Sequence, residues 1–164
     1  MSFIQSKYFN YAFFSKYIDS AVETNQWSNY GWAVKELEKR AREMLKISDD
    51  KAIIATSSGT SALHAIVLGI QRNKGVKLRI STENFTFPSS SIGPCEGPIV
   101  IDYNEHINAN MTDALLVDYG DLIIITNCFG HVQEIDFIVN QATAMNKIVV
   151  FDNAATPYSF YKDS

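Results

Sequence analysis

Apolar residues recur along this chain at two different spacings, and the change from one to the other falls at Lys51. Before it, Phe9, Phe13, Tyr17 and Ala21 repeat at helical intervals, as do Val34, Leu37, Ala41 and Leu45, so two amphipathic helices are expected first. After it, short β-branched runs alternate with helical stretches. The runs Ala52–Thr56, Leu78–Ser81, Pro98–Asp102, Ala114–Val117, Leu122–Thr126 and Lys147–Asp152 predict strands, while Ser61–Gln71 and Ile135–Met145 predict helices. Strands apolar on both faces and separated by helices imply an α/β fold: a mostly parallel sheet covered on each side, three layers deep. No internal repeat or low-complexity tract interrupts the pattern.

Length and charge narrow the function classes. A chain of 164 residues can bury the core of one domain, and no stretch has the composition of a flexible linker to a second. The net charge is -4, with acids and bases interspersed, so no basic stripe of the kind that drives nucleic-acid binding is present. The longest apolar stretches, such as Leu122–Ile125, are far too short to span a bilayer, and the N-terminus lacks a charged segment followed by an apolar one. A cytoplasmic protein without nucleic-acid or membrane partners is the expectation. Cys95 and Cys128 have no metal-ligand spacing between them and are expected to be reduced thiols, and His64, His106 and His131 share no spacing suited to a metal.

Two places carry candidate chemistry. Ser57-Ser58-Gly59-Thr60 lies where an apolar run gives way to a helix, and a helix N-terminus built of small residues offers unpaired N–H groups and a positive dipole end to a phosphate. Asp152 ends another apolar run, and in a parallel sheet strand ends of this kind gather on the edge where ligands bind. A phosphate at one end of a ligand and a protonated nitrogen at the other describe pyridoxal phosphate. Each residue also has an ordinary role available. Ser57–Ser61 can be a capped strand-to-helix turn, Asp152 a turn residue ahead of Asn153-Ala154-Ala155, and Phe87, beside Pro88, a core residue.

Asn29-Tyr30-Gly31, Val34, Leu37-Glu38, Ser58-Gly59-Thr60-Ser61-Ala62-Leu63, Thr86-Phe87, Phe129-Gly130, Asp136, and Asp152 with Ala154 resemble, in order and spacing, the N-terminal half of the DegT/StrS-type sugar-nucleotide aminotransferases. The resemblance implies the large domain of a fold-type I pyridoxal 5'-phosphate enzyme that works as a homodimer. Gly59, Thr60 and Ser61 would hold the phosphate, Phe87 would stack on the pyridine ring, and Asp152 would pair with the ring nitrogen. Asn127 stands where the family has a histidine, and its amide would donate near the ring. The implied reaction moves an amino group from glutamate to a keto carbon of a nucleotide-linked 4-keto-6-deoxy sugar, giving a 4-amino-4,6-dideoxy sugar such as viosamine. Trp27 and Tyr30 are candidates to border the sugar pocket, with core packing the expected role of each.

The family's Schiff-base lysine falls downstream of Ser164, in a Ser-Phe-containing segment, so residues 1–164 are expected to form the front half of a longer enzyme, without its small C-terminal domain and inactive alone. Lys162 belongs to a Tyr158–Asp163 stretch matching residues upstream of that lysine and is no substitute for it. Ala155 stands where the family has a glutamine that bonds the cofactor's phenol oxygen, with Thr156 a neighbouring candidate for that role, and Gly75-Val76-Lys77-Leu78-Arg79 replaces a Gly-Asp-Glu segment. Two other readings stand beside the aminotransferase: a sugar dehydratase of the same fold with histidine in the lysine's place, and a non-catalytic phosphate-binding or interaction module. The argument against the last is that a structural remnant has no use for a buried, unpaired carboxylate at position 152.

Overall fold

A computed structural model describes residues 8–101, 119–128 and 135–156, which divide into two compact units between Ala55 and Thr56. The expected strand at Ala114–Val117 and the Asp102 end of another lie outside the described residues.

The first unit contains helices α1 (Tyr11–Thr24) and α2 (Trp32–Met44). Asn10 caps α1 by accepting the Phe13 N–H at 3.0 Å, and Asn25 ends it in the left-handed region. The apolar stripe of α1 meets α2 through the Tyr17 and Trp32 rings, 5.2 Å between centroids, yet no α1 residue is buried. Beyond α2, the Arg42 guanidinium donates to the carbonyls of Ser48 and Lys51 at 2.6 and 2.7 Å and ties down the connecting turn.

Two expectations fail in this unit. Trp27 and Tyr30 are not core residues: they are 61% and 57% exposed, in a turn where Asn29 and Tyr30 follow one another at positive φ. The run Ala52–Thr56 forms no strand. Its amide at Ala55 donates to the Glu38 carboxylate at 2.8 Å instead of to a neighbouring strand, and Ile54 is 76% exposed.

The second unit opens with α3 (Gly59–Lys74) and continues through β1 (Ile80–Glu83), two short 3-10 helices (Pro88–Ser91 and Gly93–Cys95), β2 (Ile99–Ile101), β3 (Leu122–Thr126), α4 (Ile135–Ala144) and β4 (Ile148–Asp152). The four strands form one wholly parallel sheet in the order β2-β1-β3-β4. Alternation along β3 serves both faces. Leu122 and Ile124 pack with Leu63 and Val67 of α3 and with Ile80 and Val150, while Ile123 and Ile125 pack with Ile138 of α4, Ile101 and Tyr119. This is the expected α/β arrangement with helices on each face.

Strand β1 starts two residues later than the pattern predicts. The Leu78 N–H is taken by the Gln71 side chain and the Arg79 N–H by Asp121, so ladder pairing begins only at Ile80. At the same end of the sheet Gly120 touches β1 closely: a Cβ there would stand 2.3 Å from the Arg79 carbonyl oxygen.

Candidate functional site

Because all four strands run the same way, Glu83, Thr126 and Asp152 end on one edge of the sheet, with Thr126 paired in register with Asp152. Among the described strands the chain passes from β1 outward to β2 and then continues on the other side at β3. The crevice between the ends of β1 and β3 is therefore the switch point at which open α/β sheets bind ligands. A cavity of about 580 Å³ opens on this edge, within the roughly 300–1,000 Å³ range of small-molecule sites.

The turn Ser58-Gly59-Thr60 forms one wall. Ser58 is the N-cap of α3, its Oγ accepting the Ser61 N–H at 3.1 Å, so the capping role and the helix opening coexist. Gly59 and Thr60 occupy the first two helical positions, whose amides have no acceptor within the helix. A side chain at Gly59 would meet nothing within 4 Å, so the backbone is open to a ligand. Ser61 is not in the cavity wall; its Oγ lies 3.1 and 3.0 Å from the hydroxyls of Ser57 and Ser58.

Phe87 is not a core residue. It lines the cavity and is 66% exposed, because Pro88 opens a 3-10 helix directly after it and Ser90 Oγ donates to the Phe87 carbonyl at 3.0 Å, holding the backbone while the ring stands free. Asp152 lines the same cavity and is half-buried; one carboxylate oxygen accepts the Ala154 N–H at 3.1 Å. The carboxylate is thus neither deeply buried nor unpaired, and the argument against a purely structural role that assumed both does not hold. What the geometry does place in one cavity is Gly59, Thr60, Phe87 and Asp152.

Asn127 is fully buried behind this wall. Its Nδ2 donates to Asn153 at 2.6 Å and its backbone N–H to the Asp152 carbonyl at 3.0 Å, which braces the strand end that carries Asp152. Thr156 is also buried and outside the cavity lining, whereas Ala155 lines it. His64 Nε2 donates to the Ser89 carbonyl at 3.0 Å and so anchors the 3-10 segment to α3. Phe129-Gly130, His106, His131 and Lys162 lie outside the described residues.

Several wall residues were given no role in the site from sequence, although Thr86 belongs to the motifs that carry the resemblance: Phe85, Thr86, Ser89, Thr126 and Cys128. The available signal was position, since Thr126 closes a strand and Phe85 and Thr86 follow one on the ligand-binding edge. The Thr86 and Thr126 hydroxyls lie 2.6 Å apart, and Glu83 accepts the Thr126 N–H at 2.8 Å. Cys128 donates its thiol to the Phe85 carbonyl at 3.6 Å; burial, then the carboxylates of Glu83 and Asp152, push its pKa up and keep the sulfur neutral.

The profile of the DegT/DnrJ/EryC1/StrS aminotransferase family matches residues 11–164. The chain belongs to that family. It is also similar to the GDP-perosamine synthase of Caulobacter vibrioides, with 22% identity over 150 residues; the match covers 89% of this chain and 40% of that relative's length. Among the described residues of this DegT-family chain, no helix is long and apolar enough to cross a membrane.

Proposed function

We propose that residues 1–164 are the cofactor-binding large domain of a pyridoxal 5'-phosphate-dependent sugar-nucleotide aminotransferase. The observation that carries this reading is the single cavity bordered by the open start of α3 at one wall and the Asp152 carboxylate at another. The donor set suits the cofactor's shape: Gly59 and Thr60 supply amides and a hydroxyl for a phosphate, Phe87 offers a free ring face for the pyridine, and Asp152 keeps a proton on the ring nitrogen. Pyridoxal phosphate supplies the electron sink that lets an amino donor lose its α-proton. Ser61 Oγ adds a hydroxyl behind the phosphate turn, and Asn127 keeps Asp152 in place from behind.

The finer reading follows the family and the relative. The amino donor is glutamate, and the acceptor is a nucleotide-linked 4-keto-6-deoxy sugar, giving a 4-amino-4,6-dideoxyhexose of the viosamine type. The enzyme is a cytoplasmic homodimer with its site at the subunit interface, and its anchoring lysine and small domain lie in sequence downstream of these residues.

Intact mass of the native gene product after incubation with pyridoxal phosphate and borohydride reduction tests this reading. One covalent adduct on a lysine downstream of Ser164 is the expected result. A longer chain that binds the cofactor without an adduct would turn the assignment to the dehydratase. A product of 164 residues with no specific adduct would leave a binding module and defeat the catalytic reading.

A further inference from the structure

The proposed cofactor has a third polar site besides phosphate and ring nitrogen, the phenolic oxygen of the ring, and an oxygen of that kind binds best with a proton donor facing it. Most polar side chains at this edge are already engaged. Ser58 accepts at the helix cap, Asp152 is an acceptor, Asn127 gives its amide to Asn153, and Ala154 and Ala155 bring no polar side chain. The Cys128 thiol is directed to the Phe85 carbonyl.

The Thr86–Thr126 pair differs. Two hydroxyls 2.6 Å apart share one proton between them, and the second proton of the pair is left over whichever oxygen donates. Ser90 does not take it: Ser90 Oγ is itself a donor, to the Phe87 carbonyl at 3.0 Å and weakly to Thr86 at 3.5 Å. Both threonines line the cavity, on opposite sides of the β1–β3 switch point. Thr126 is held rigidly, its N–H bonded to Glu83 and its strand paired with β4 at Asp152. Resting on the cofactor reading above, the geometry points to the Thr86–Thr126 hydroxyl pair as the hydrogen-bond donor to the cofactor's phenolic oxygen. Thr126 is the fixed member, and Thr86, on the segment that carries Phe87, links this contact to the position of the ring above it.

A donor of this kind favours the ionised phenol, so its removal raises the phenol's pKa. The test uses the full native gene product and pyridoxamine phosphate, which needs no lysine to bind, and follows the ultraviolet absorbance of the bound compound across pH. Thr126→Val is expected to shift the phenol titration upward by roughly 0.5–1 pH unit, the size of one hydrogen bond, and Thr126→Ser to restore it. Thr86→Val leaves the Thr126 proton free to donate and is expected to shift the titration less than Thr126→Val; should Thr126→Val lose structure, Thr126→Ala carries the same expected upward shift. Bound pyridoxamine phosphate whose titration is the same in wild type and in Thr126→Val or Thr126→Ala would overturn the assignment while leaving the cofactor reading intact. Failure of the wild type to bind pyridoxamine phosphate at all would overturn the cofactor reading and this inference with it.

Discussion

The Tyr30 hydroxyl donates to Glu38, whose other carboxylate oxygen accepts the Ala55 N–H at 2.8 Å. One side chain of α2 thereby joins the turn before that helix to the extended segment after it. The turn needs such a tie, because Asn29 and Tyr30 both sit in the left-handed region at φ 57 and 62, a conformation that costs about 1–2 kcal/mol per non-glycine residue. The hydrogen bond from Tyr30, followed by that from Ala55, lowers the Glu38 pKa from its ordinary 4.5, while the same contact with Glu38 raises that of Tyr30. A depressed folded-state pKa means that the contribution is complete above 4.5 and is lost as pH falls through the lower folded value. Thermal unfolding followed between pH 3 and 6 should therefore show a shallower acid-induced loss of stability in Glu38→Gln than in wild type. Equal slopes would remove Glu38 from the set of groups that set acid sensitivity.

Gly120 is fixed by distance. The Arg79 carbonyl that a Cβ would strike at 2.3 Å cannot retreat freely, because it accepts the N–H groups of Asp121 and Leu122 at 2.7 and 3.1 Å. The Gly120 N–H is itself bonded to Ser81 Oγ at 2.6 Å. Gly120→Ala should lower the melting temperature by roughly 5–10 °C, in keeping with an overpacking cost of about 1–3 kcal/mol. An unchanged melting curve would show that the β1–β3 contact relaxes more easily than its hydrogen bonds imply.

These two sites also mark how far the sequence could be read. Leu122–Thr126 and Ile148–Asp152 were legible as parallel strands because both faces of each carry apolar residues, and Gly59, Thr60 and Asp152 were legible as site candidates because each adjoins a strand end or a helix start, whereas Phe87 became a candidate only through the family resemblance. Ala52–Thr56 has the same local pattern but no strand, since the fate of the Ala55 amide depends on Glu38, seventeen positions away. The exposure of Phe87 was equally hidden: aromatic residues beside proline usually pack, and only the 3-10 helix that begins at Pro88 leaves this ring free. The Thr86–Thr126 contact joins residues forty positions apart, beyond any local periodicity.

Cys128 offers a chemical probe of the cavity from inside. Burial and the carboxylates of Glu83 and Asp152 raise its pKa, so at pH 7 its thiolate fraction falls below that of an ordinary cysteine, and reaction with an aromatic disulfide reagent should be slow and should still be accelerating above the usual thiol range. Cys95 is completely buried and should not react in the folded protein. Asp152→Asn removes one of the charges that hold the thiol neutral and should speed the reaction of Cys128, while saturating pyridoxal phosphate should slow it by filling the cavity that the thiol lines. A Cys128 rate that is indifferent to both changes would separate this thiol from the cavity and from Asp152.

Under the proposed cofactor assignment Asp152 has two jobs, and one substitution can pull them apart. Its Oδ1 accepts the Ala154 N–H at 3.1 Å, a turn contact that an asparagine oxygen can keep, whereas only a carboxylate can hold a proton on a pyridine nitrogen. Asp152→Asn should therefore leave the melting temperature of the protein nearly unchanged while lowering transamination by the complete enzyme on the order of 100-fold or more. Asp152→Ala loses both contacts and should show a comparable fall in turnover together with a measurable loss of stability. If Asp152→Asn retained full turnover, the carboxylate would be a turn residue alone, and the cofactor's orientation in the cavity would have to be reversed or abandoned. If both variants lost stability equally, the charge itself would be holding the end of β4, and any effect on turnover would follow from that displacement and not from the ring nitrogen.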